Sequence, residues 1–351
     1  MTTSAPVAAA TGPAPDFATW DASGSGADSS QYSSLAQINR GNVAQLEVAW
    51  TYETGDGQPP LFNPVIGGGR MYVQNGQGKL VALDPATGRE LWVSDLEGRV
   101  GSRGVNYWEG SAGQPSRLMV LNNGILRAVD AATGHAIPSF GTNGGIDLRD
   151  ALPRDAAIPG SPLMTNNPGR IYGNTIIMSL PAGAYDYASS PANIQAYDVI
   201  TGELKWTFNT VPRQGEFGRE TWPAGEDNAH YGGVHNWSES TVDTELGIVF
   251  IPTGTARYDF YGGNREGDNL FGNSLLALDA NERAHAAETA ETFSPPKWMS
   301  DRWAIRSIRR RRPCGPRPGR RRRSGRCCGG ATPTGSWPRR SAARRSAGPS
   351  T

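Results

Sequence analysis

A seven-residue phrase, Ala-x-Asp-x-x-Thr-Gly, recurs in this chain and constrains its fold more than any other feature. The phrase is complete around Asp84, Asp130 and Asp198, and its first half returns at Asp279. An Asp side chain accepts backbone N–H bonds inside a turn and Gly supplies a positive φ, so each copy predicts a strand, a tight turn and a second strand. Where a Trp follows the phrase, we expect its ring to be buried against the neighbouring unit.

The spacing of the copies favours one all-β architecture over another. Intervals of 46, 68 and 81 residues fit four-stranded propeller blades with insertions of growing length. Short apolar runs such as GKLVALD, NTIIMSL and GIVFIPT lie between Gly, Asn and Asp turns, which is typical of strands rather than helices. Independent hairpins in a β-sandwich are the alternative. We expect an all-β fold with about four blades of a β-propeller.

Composition divides the chain into three segments. Residues 1–16 form an Ala/Pro-rich lead that we expect to be flexible, residues 17–280 carry the repeats, and residues 281–351 form an Arg-rich tail. From Arg302 onward there are 16 Arg and no acidic residue, which leaves 18 basic and 33 acidic residues before it. The body is therefore acidic, and the low hydrophobicity of the tail predicts disorder.

The tail begins where the fourth copy of the phrase breaks off, near Asn281. Its Arg, Ala, Gly, Pro and Ser residues are what a GC-rich gene yields when it is translated out of frame, so we expect a truncated, frameshifted copy. The alternative is a genuine basic arm that binds nucleic acid through its charge. The tail has no interleaved aromatic residues, so no nucleic-acid partner is expected. The adjacent Cys327 and Cys328 lack zinc-site spacing.

The chain shows no recognisable targeting segment. The first residues lack the basic and apolar regions of a signal peptide, and no run of about 18 apolar residues predicts a membrane-spanning helix. All three cysteines lie in the tail, so the body has no disulfide framework and cysteine usage does not indicate its compartment.

Several long stretches resemble the quinoprotein dehydrogenases that use pyrroloquinoline quinone (PQQ), especially the membrane-associated glucose/quinate branch, with some alcohol-dehydrogenase features. These stretches lie within roughly 250 residues and are Ala27–Asp56, Ser102–Gly110, Asn209–Pro223 and Val249–Ala280. The resemblance implies an eight-bladed propeller about twice as long as this body. It also implies PQQ and a divalent ion, usually Ca²⁺, a sugar or alcohol substrate, a quinone or cytochrome electron acceptor, and a periplasmic or membrane-associated location.

The resemblance assigns four residues to the cofactor. Arg103 in SRGVNYW matches a guanidinium placed on the quinone, and a fork of donors suits a carboxylate. Trp237 in GGVHNWSES matches a Trp that stacks beneath the cofactor plane. Thr165 and Ser179 match hydroxyl contacts. The alternative interpretation of these residues is structural. Arg103 would then be a solvated surface residue, Trp237 would belong to the core of a blade, and Thr165 and Ser179 would line turns.

Three residues match the family's metal and catalytic positions. A hard divalent ion takes oxygen ligands, and Asp186, Thr255 and Asp268 fall at those positions, with Asp186 replacing a Glu and Thr255 replacing an Asn. Asp268 in EGDNLF also matches the general base, although an Asp before an Asn commonly just forms an Asx turn. The implied reaction passes the substrate's hydroxyl proton to Asp268 and hydride to the quinone carbon, which the ion polarises.

The sequence also departs from the family's pattern. A late His-His-Asp-x-Trp-Asp segment, a downstream Lys, an early Glu or Gln, and a vicinal cysteine pair before Arg103 are all absent. These departures argue against activity of this chain, but they do not argue against its relationship to the family. The alternative function is a propeller scaffold that binds protein partners without a cofactor, although such a scaffold has no need of the SRGVNYW and YGGNREGDN motifs.

Overall fold

The computed structural model describes residues 17–55, 61–111, 113–151, 167–180, 189–224 and 231–281. In these residues the regular structure is fifteen β-strands and three short 3₁₀ helices, the latter at Val43–Gln45, Leu148–Ala151 and Arg219–Thr221. The all-β prediction is confirmed. The predicted lead and nearly all of the predicted tail lie outside the described residues.

The strands form four antiparallel sheets in which each strand pairs with the next along the chain. Sheet I contains β1 (Val65–Gly67), β2 (Arg70–Gln74), β3 (Leu80–Leu83) and β4 (Glu90–Val93). Sheet II contains β5 (Asn106–Trp108), β6 (Arg117–Asn122), β7 (Ile125–Asp130) and β8 (Gly145–Asp147). Sheet III contains β9 (Arg170–Tyr172), β10 (Thr175–Ser179), β11 (Ile194–Asp198) and β12 (Leu204–Phe208). Sheet IV contains β13 (Thr241–Asp243), β14 (Ile248–Pro252) and β15 (Leu275–Asp279).

Each complete phrase forms the turn between the third and fourth strands of a sheet. In sheet II the Asp130 carboxylate accepts the N–H groups of Ala132 and Thr133, both at 2.9 Å. The N–H of Gly134, at φ +80°, then donates to the Asp130 carbonyl. Asp84 and Asp198 make the same contacts. The strand–turn–strand prediction is therefore confirmed at all three copies, and β15 ends at the fourth Asp.

The Trp that closes a phrase contacts the next sheet, as expected. Trp92 in β4 lies against the turn of sheet II, because a Cβ added to Gly134 would be only 2.6 Å from the indole Cε3. Trp206 in β12 is 3% exposed and belongs to the core between sheets III and IV. The turn formed by each phrase thus connects two strands of its own sheet. At Gly134 the same turn also packs against the Trp of the preceding sheet.

Three apolar cores fill the spaces between successive sheets. Their large members are Tyr72, Leu80, Leu118 and Val129 between sheets I and II; Leu126, Phe140, Ile176 and Tyr197 between II and III; and Ile177, Trp206, Val249 and Leu276 between III and IV. The first strands of successive sheets also lie beside each other. This is the face-to-face packing of propeller blades around an axis, so the structure is a partial propeller of four sheets.

Residues 17–31 cross the first strands of the sheets at this axis. The carbonyl of Trp20 accepts the Ile66 N–H of sheet I, and that of Asp21 accepts the Tyr107 N–H of sheet II. The carbonyl of Ala27 accepts the Val242 N–H of sheet IV at 2.7 Å. This segment therefore ties the inner strands together.

Arg170 of β9 holds the same segment in sheet III. Its guanidinium is buried and donates to the carbonyls of Ser23, Gly26 and Ser240 and to the hydroxyl of Ser29. It also pairs with the Glu239 carboxylate at 2.9 Å. Burial lowers the pKa of Arg170 and Glu239 opposes that shift. Within the described residues, no helix is long and apolar enough to cross a bilayer.

Candidate functional site

Arg103 lies on the loop that enters sheet II, directly before β5. Its side chain is exposed, and its carbonyl accepts a hydrogen bond from the Asn63 side-chain amide at 3.2 Å. The same amide donates to the Ser23 hydroxyl at 3.1 Å, and that hydroxyl donates to Glu239. The loop is therefore fixed to the segment at the axis while the guanidinium reaches outward.

The Arg103 guanidinium donates a hydrogen bond to the backbone carbonyl of Trp237, a residue 134 positions later in the chain. Trp237 leaves 59% of its surface exposed. Its ring edge packs on Gly254, where an added Cβ would lie 3.2 Å from both Cδ1 and Nε1. The structure therefore brings the Arg103 guanidinium to the backbone of a residue whose aromatic ring is largely exposed.

A buried polar network holds the backbone that carries Trp237. The Asn167 side-chain amide donates to the Asn236 side chain and to the carbonyl of Ser238. The Asn236 amide group donates in turn to the Pro252 carbonyl at 2.7 Å. The Ser179 hydroxyl accepts the Asn236 N–H at 3.1 Å and contacts the Ala192 carbonyl at 3.2 Å. These contacts connect β10, β14 and the Trp237 loop, so Ser179 acts in this structure through Asn236.

Asp268 lies on a loop whose neighbours are anchored on both sides. The N–H groups of Asn269 and Leu270 each donate to Thr221 at 2.9 Å, one to its carbonyl and one to its hydroxyl. Arg265 donates to the Asn269 side chain at 2.8 Å and to the Ala256 carbonyl at 3.2 Å. The Asp268 carboxylate itself is exposed. These contacts hold the turn that carries Asp268 in a fixed position.

Thr255 lies on the neighbouring loop, next to the Ala256 carbonyl that Arg265 contacts. Its backbone carbonyl accepts the Val234 N–H at 3.1 Å and its side chain is half-buried. Thr165 and Asp186 lie outside the described residues. Among the residues that are described, no three His, Cys, Asp or Glu side chains converge on a common metal position. The described part thus contributes one carboxylate and one hydroxyl as candidate ligands.

A half-buried histidine lies two residues before Trp237. The Nδ1 atom of His235 is buried without a hydrogen-bond partner in the described structure. Burial lowers the pKa of His235, and the nearby Arg257 guanidinium lowers it further, while Asp259 acts in the opposite direction. Burial and the Arg257 charge thus both disfavour the charged form of the His235 imidazole.

A cavity of about 330 Å³ also opens at the axis, beside residues 17–31. Asp21, Asn106 and Arg170 line it, but none of the described candidate residues does. Burial raises the pKa of Asp21. We place the candidate site at the Arg103–Trp237 contact and not at the cavity, because the contact contains residues predicted to bind the cofactor and the cavity contains none of those that the structure describes.

Sequence reasoning missed the residues that support this site. Arg170, Asn63 and Asn236 contact partners that are mostly 40 to 150 positions away, and no local pattern marks such residues. The motifs that contain Arg103 and Trp237 were identifiable, but their supporting contacts were not.

The comparisons with known proteins agree with the fold and motifs. The family model described as "PQQ: Glucose/ethanol/alcohol dehydrogenase, beta-propeller domain" matches residues 20–284. Quinoprotein glucose dehydrogenase A of Acinetobacter calcoaceticus is 32% identical over 299 residues, covering 75% of this chain and 36% of the relative. Quinate/shikimate dehydrogenase (quinone) of Acinetobacter baylyi is 29% identical, covering 76% and 37%.

A solved structure gives the same result. The quinohemoprotein alcohol dehydrogenase of Comamonas testosteroni superposes with a TM-score of 0.62 at 28% identity, covering 76% of this chain and 40% of that one. The chain therefore spans little more than a third of the length of the curated relatives. With the repeat, the sheets and the family match all in agreement, the chain belongs to the PQQ-dependent glucose/quinate/alcohol dehydrogenase β-propeller family.

Proposed function

We propose that this chain forms part of the PQQ site of a quinoprotein that oxidises a sugar or alcohol, as its glucose and quinate dehydrogenase relatives are named to do. The observation that carries the proposal is the contact between the Arg103 guanidinium and the Trp237 carbonyl. It joins a predicted anion-binding group to a predicted stacking surface.

The residues present fit the quinone. PQQ is a planar tricarboxylate, and when bound it supplies the redox chemistry, which the protein's side chains lack. Arg103 would hold a carboxylate through its fork of donors. The exposed Trp237 ring would carry the plane, and its support on Gly254 keeps the ring in place.

Asp268 would accept the hydroxyl proton of the substrate. A carboxylate can act as a general base once a substrate hydroxyl lies within hydrogen-bond reach. Thr165 and Ser179 would support the cofactor, while Asp186, Thr255 and Asp268 would supply oxygen ligands to Ca²⁺ or another divalent ion. A quinone or cytochrome acceptor and a periplasmic or membrane-associated location belong to the same proposal.

Titration of the full chain with PQQ and Ca²⁺, followed by equilibrium dialysis, tests the proposal. Because a charged hydrogen bond contributes about 1.5–3 kcal/mol, we expect Arg103→Ala to weaken PQQ binding about tenfold or more. The exposed Arg213 provides the matched control, and Arg213→Ala should bind as the wild type does. Folded protein that binds no PQQ would favour the cofactor-free scaffold instead.

A second variant separates binding from chemistry. Asp268→Asn keeps the size of the side chain but removes its ability to take a proton, so PQQ should remain bound while dye-linked dehydrogenase turnover disappears. Unchanged turnover in Asp268→Asn would remove Asp268 from the proposed role.

A further inference from the structure

The loop that carries Arg103 and the loop that carries Trp237 are joined by a second set of contacts besides the guanidinium. The Asn63 side-chain amide has two N–H donors, and it donates to the Arg103 carbonyl at 3.2 Å and to the Ser23 hydroxyl at 3.1 Å. The Ser23 hydroxyl donates in turn to the Glu239 carboxylate at 3.1 Å. Glu239 follows Trp237 by two residues. We call Asn63, Ser23 and Glu239 the polar bridge, because they connect one loop to the other.

The Glu239 end of the polar bridge is held by a buried cation. The Arg170 guanidinium donates to the second carboxylate oxygen of Glu239 at 2.9 Å and to the Ser23 carbonyl at 2.8 Å. Only 1% of the Arg170 side chain is exposed. Ser23 is buried as well, and a buried hydroxyl that loses its hydrogen-bond partners costs free energy. This end of the polar bridge is therefore held in one arrangement.

The other end of the polar bridge lies directly against the Arg103 loop. A Cβ added to Gly104 would lie 3.3 Å from the Asn63 carbonyl oxygen and 3.9 Å from the Ser23 Cβ. The amide of Asn63 contacts the backbone of Arg103 and not its side chain. This hydrogen bond therefore restrains the position of the loop and uses none of the donors of the guanidinium.

We propose that the polar bridge positions the Arg103 loop relative to the Trp237 loop. This inference rests on the proposed cofactor site, in which the two loops would contact one rigid, planar molecule. Binding costs less free energy when the contacting groups are already ordered. The polar bridge would therefore raise the affinity for the cofactor without touching it. Asn63 is the residue to change, because it is exposed and its replacement leaves no cavity in the core.

Limited trypsin digestion of the full chain tests the polar bridge without any cofactor. Cleavage of a folded chain follows the population of the locally open state. We expect Asn63→Ala to speed cleavage after Arg103 about fivefold, the effect of losing one neutral hydrogen bond. Cleavage after the exposed Arg213 should not change, and it serves as the internal control for a general loss of stability.

The matched control variant removes an amide elsewhere. Gln45 is exposed, and Gln45→Ala should change the rate of cleavage after neither Arg103 nor Arg213. The polar bridge is refuted if Asn63→Ala leaves cleavage after Arg103 unchanged, or if it speeds cleavage equally at both arginines.

A double-mutant cycle on PQQ binding tests whether the polar bridge acts through Arg103. Equilibrium dialysis gives the dissociation constants of the wild type, Asn63→Ala, Arg103→Ala and the double variant. We expect Asn63→Ala to weaken PQQ binding about fivefold in the wild type and to have no further effect once Arg103 is Ala. Effects that simply add would mean that the two residues act independently, which contradicts the proposal.

The two experiments together separate this inference from the proposed function. Faster cleavage after Arg103 with no PQQ binding by any variant would support the link between the loops but refute the cofactor site. PQQ binding by the wild type with the same dissociation constant in Asn63→Ala would support the cofactor site and overturn the positioning role of the polar bridge.

Discussion

Sheet II and sheet IV carry the same kind of strands but differ in how they are covered. Sheet II has an apolar core on each face, shared with sheets I and III, whereas sheet IV shares one core with sheet III in the described structure. In β6 every residue is buried, while β15 leaves both ends exposed. The difference shows that the burial of a sheet in this fold depends on its neighbours, and in repeat architectures such interfaces contribute much of the stability.

We expect substitution of Arg170 to have the largest effect on stability, because Arg170 connects sheet III to both sheet IV and the segment at the axis. Arg170→Met removes its donated hydrogen bonds and leaves the half-buried Glu239 carboxylate without its partner. We expect a loss of about 3–5 kcal/mol in the free energy of unfolding, measured by urea denaturation. The exposed Arg213 is the control, and Arg213→Met should change stability by less than about 0.5 kcal/mol. Equal effects of the two changes would show that the connection contributes nothing.

The sequence predicts the parts of the fold that depend on neighbouring residues. The turn at Asp130 needs only the N–H groups two and three positions later, so the phrase predicts it completely. Arg170 is different, because its partner Ser23 is 147 positions away and no spacing rule links them. The same limit applies to the site: Arg103 and Trp237 each lie in a visible motif, but their contact depends on how sheets II and IV are placed around the axis.

Two glycines at positive φ separate the cost of lost packing space from the cost of backbone strain. Gly134 has φ +80° and lies beneath Trp92, whereas Gly173 has φ +55° and no other heavy atom within 4 Å of an added Cβ. Alanine in the left-handed region costs about 1–2 kcal/mol at either position. Overpacking against the indole adds about 1–3 kcal/mol at Gly134 alone. Thermal unfolding should therefore show Gly134→Ala to be the less stable variant, and the difference between the two measures the contact between sheets I and II.

The smallest expected effect concerns the Asp198 turn of sheet III and depends on pH. Burial alone would raise the pKa of Asp198, but the N–H groups of Thr201 and Ile200 and the Lys205 ammonium hold it below its ordinary value. A carboxyl whose pKa is lower in the folded state adds stability above its unfolded pKa, 3.8, and this contribution disappears as the pH falls through the folded value.

We therefore expect Asp198→Asn to have a lower melting temperature than the wild type near pH 6. This difference in melting temperature should become smaller as the pH falls from about 5 to 3. The Asn amide oxygen can still accept the turn N–H groups, so the change removes the charge and leaves the turn geometry in place. The measurement is a set of melting curves across this pH range for both proteins. Asp243 makes the same two turn contacts between β13 and β14 at the less covered sheet, so Asp243→Asn is the matched variant. A gap that stays constant with pH for Asp198→Asn would show that the Asp198 charge does not stabilise the turn.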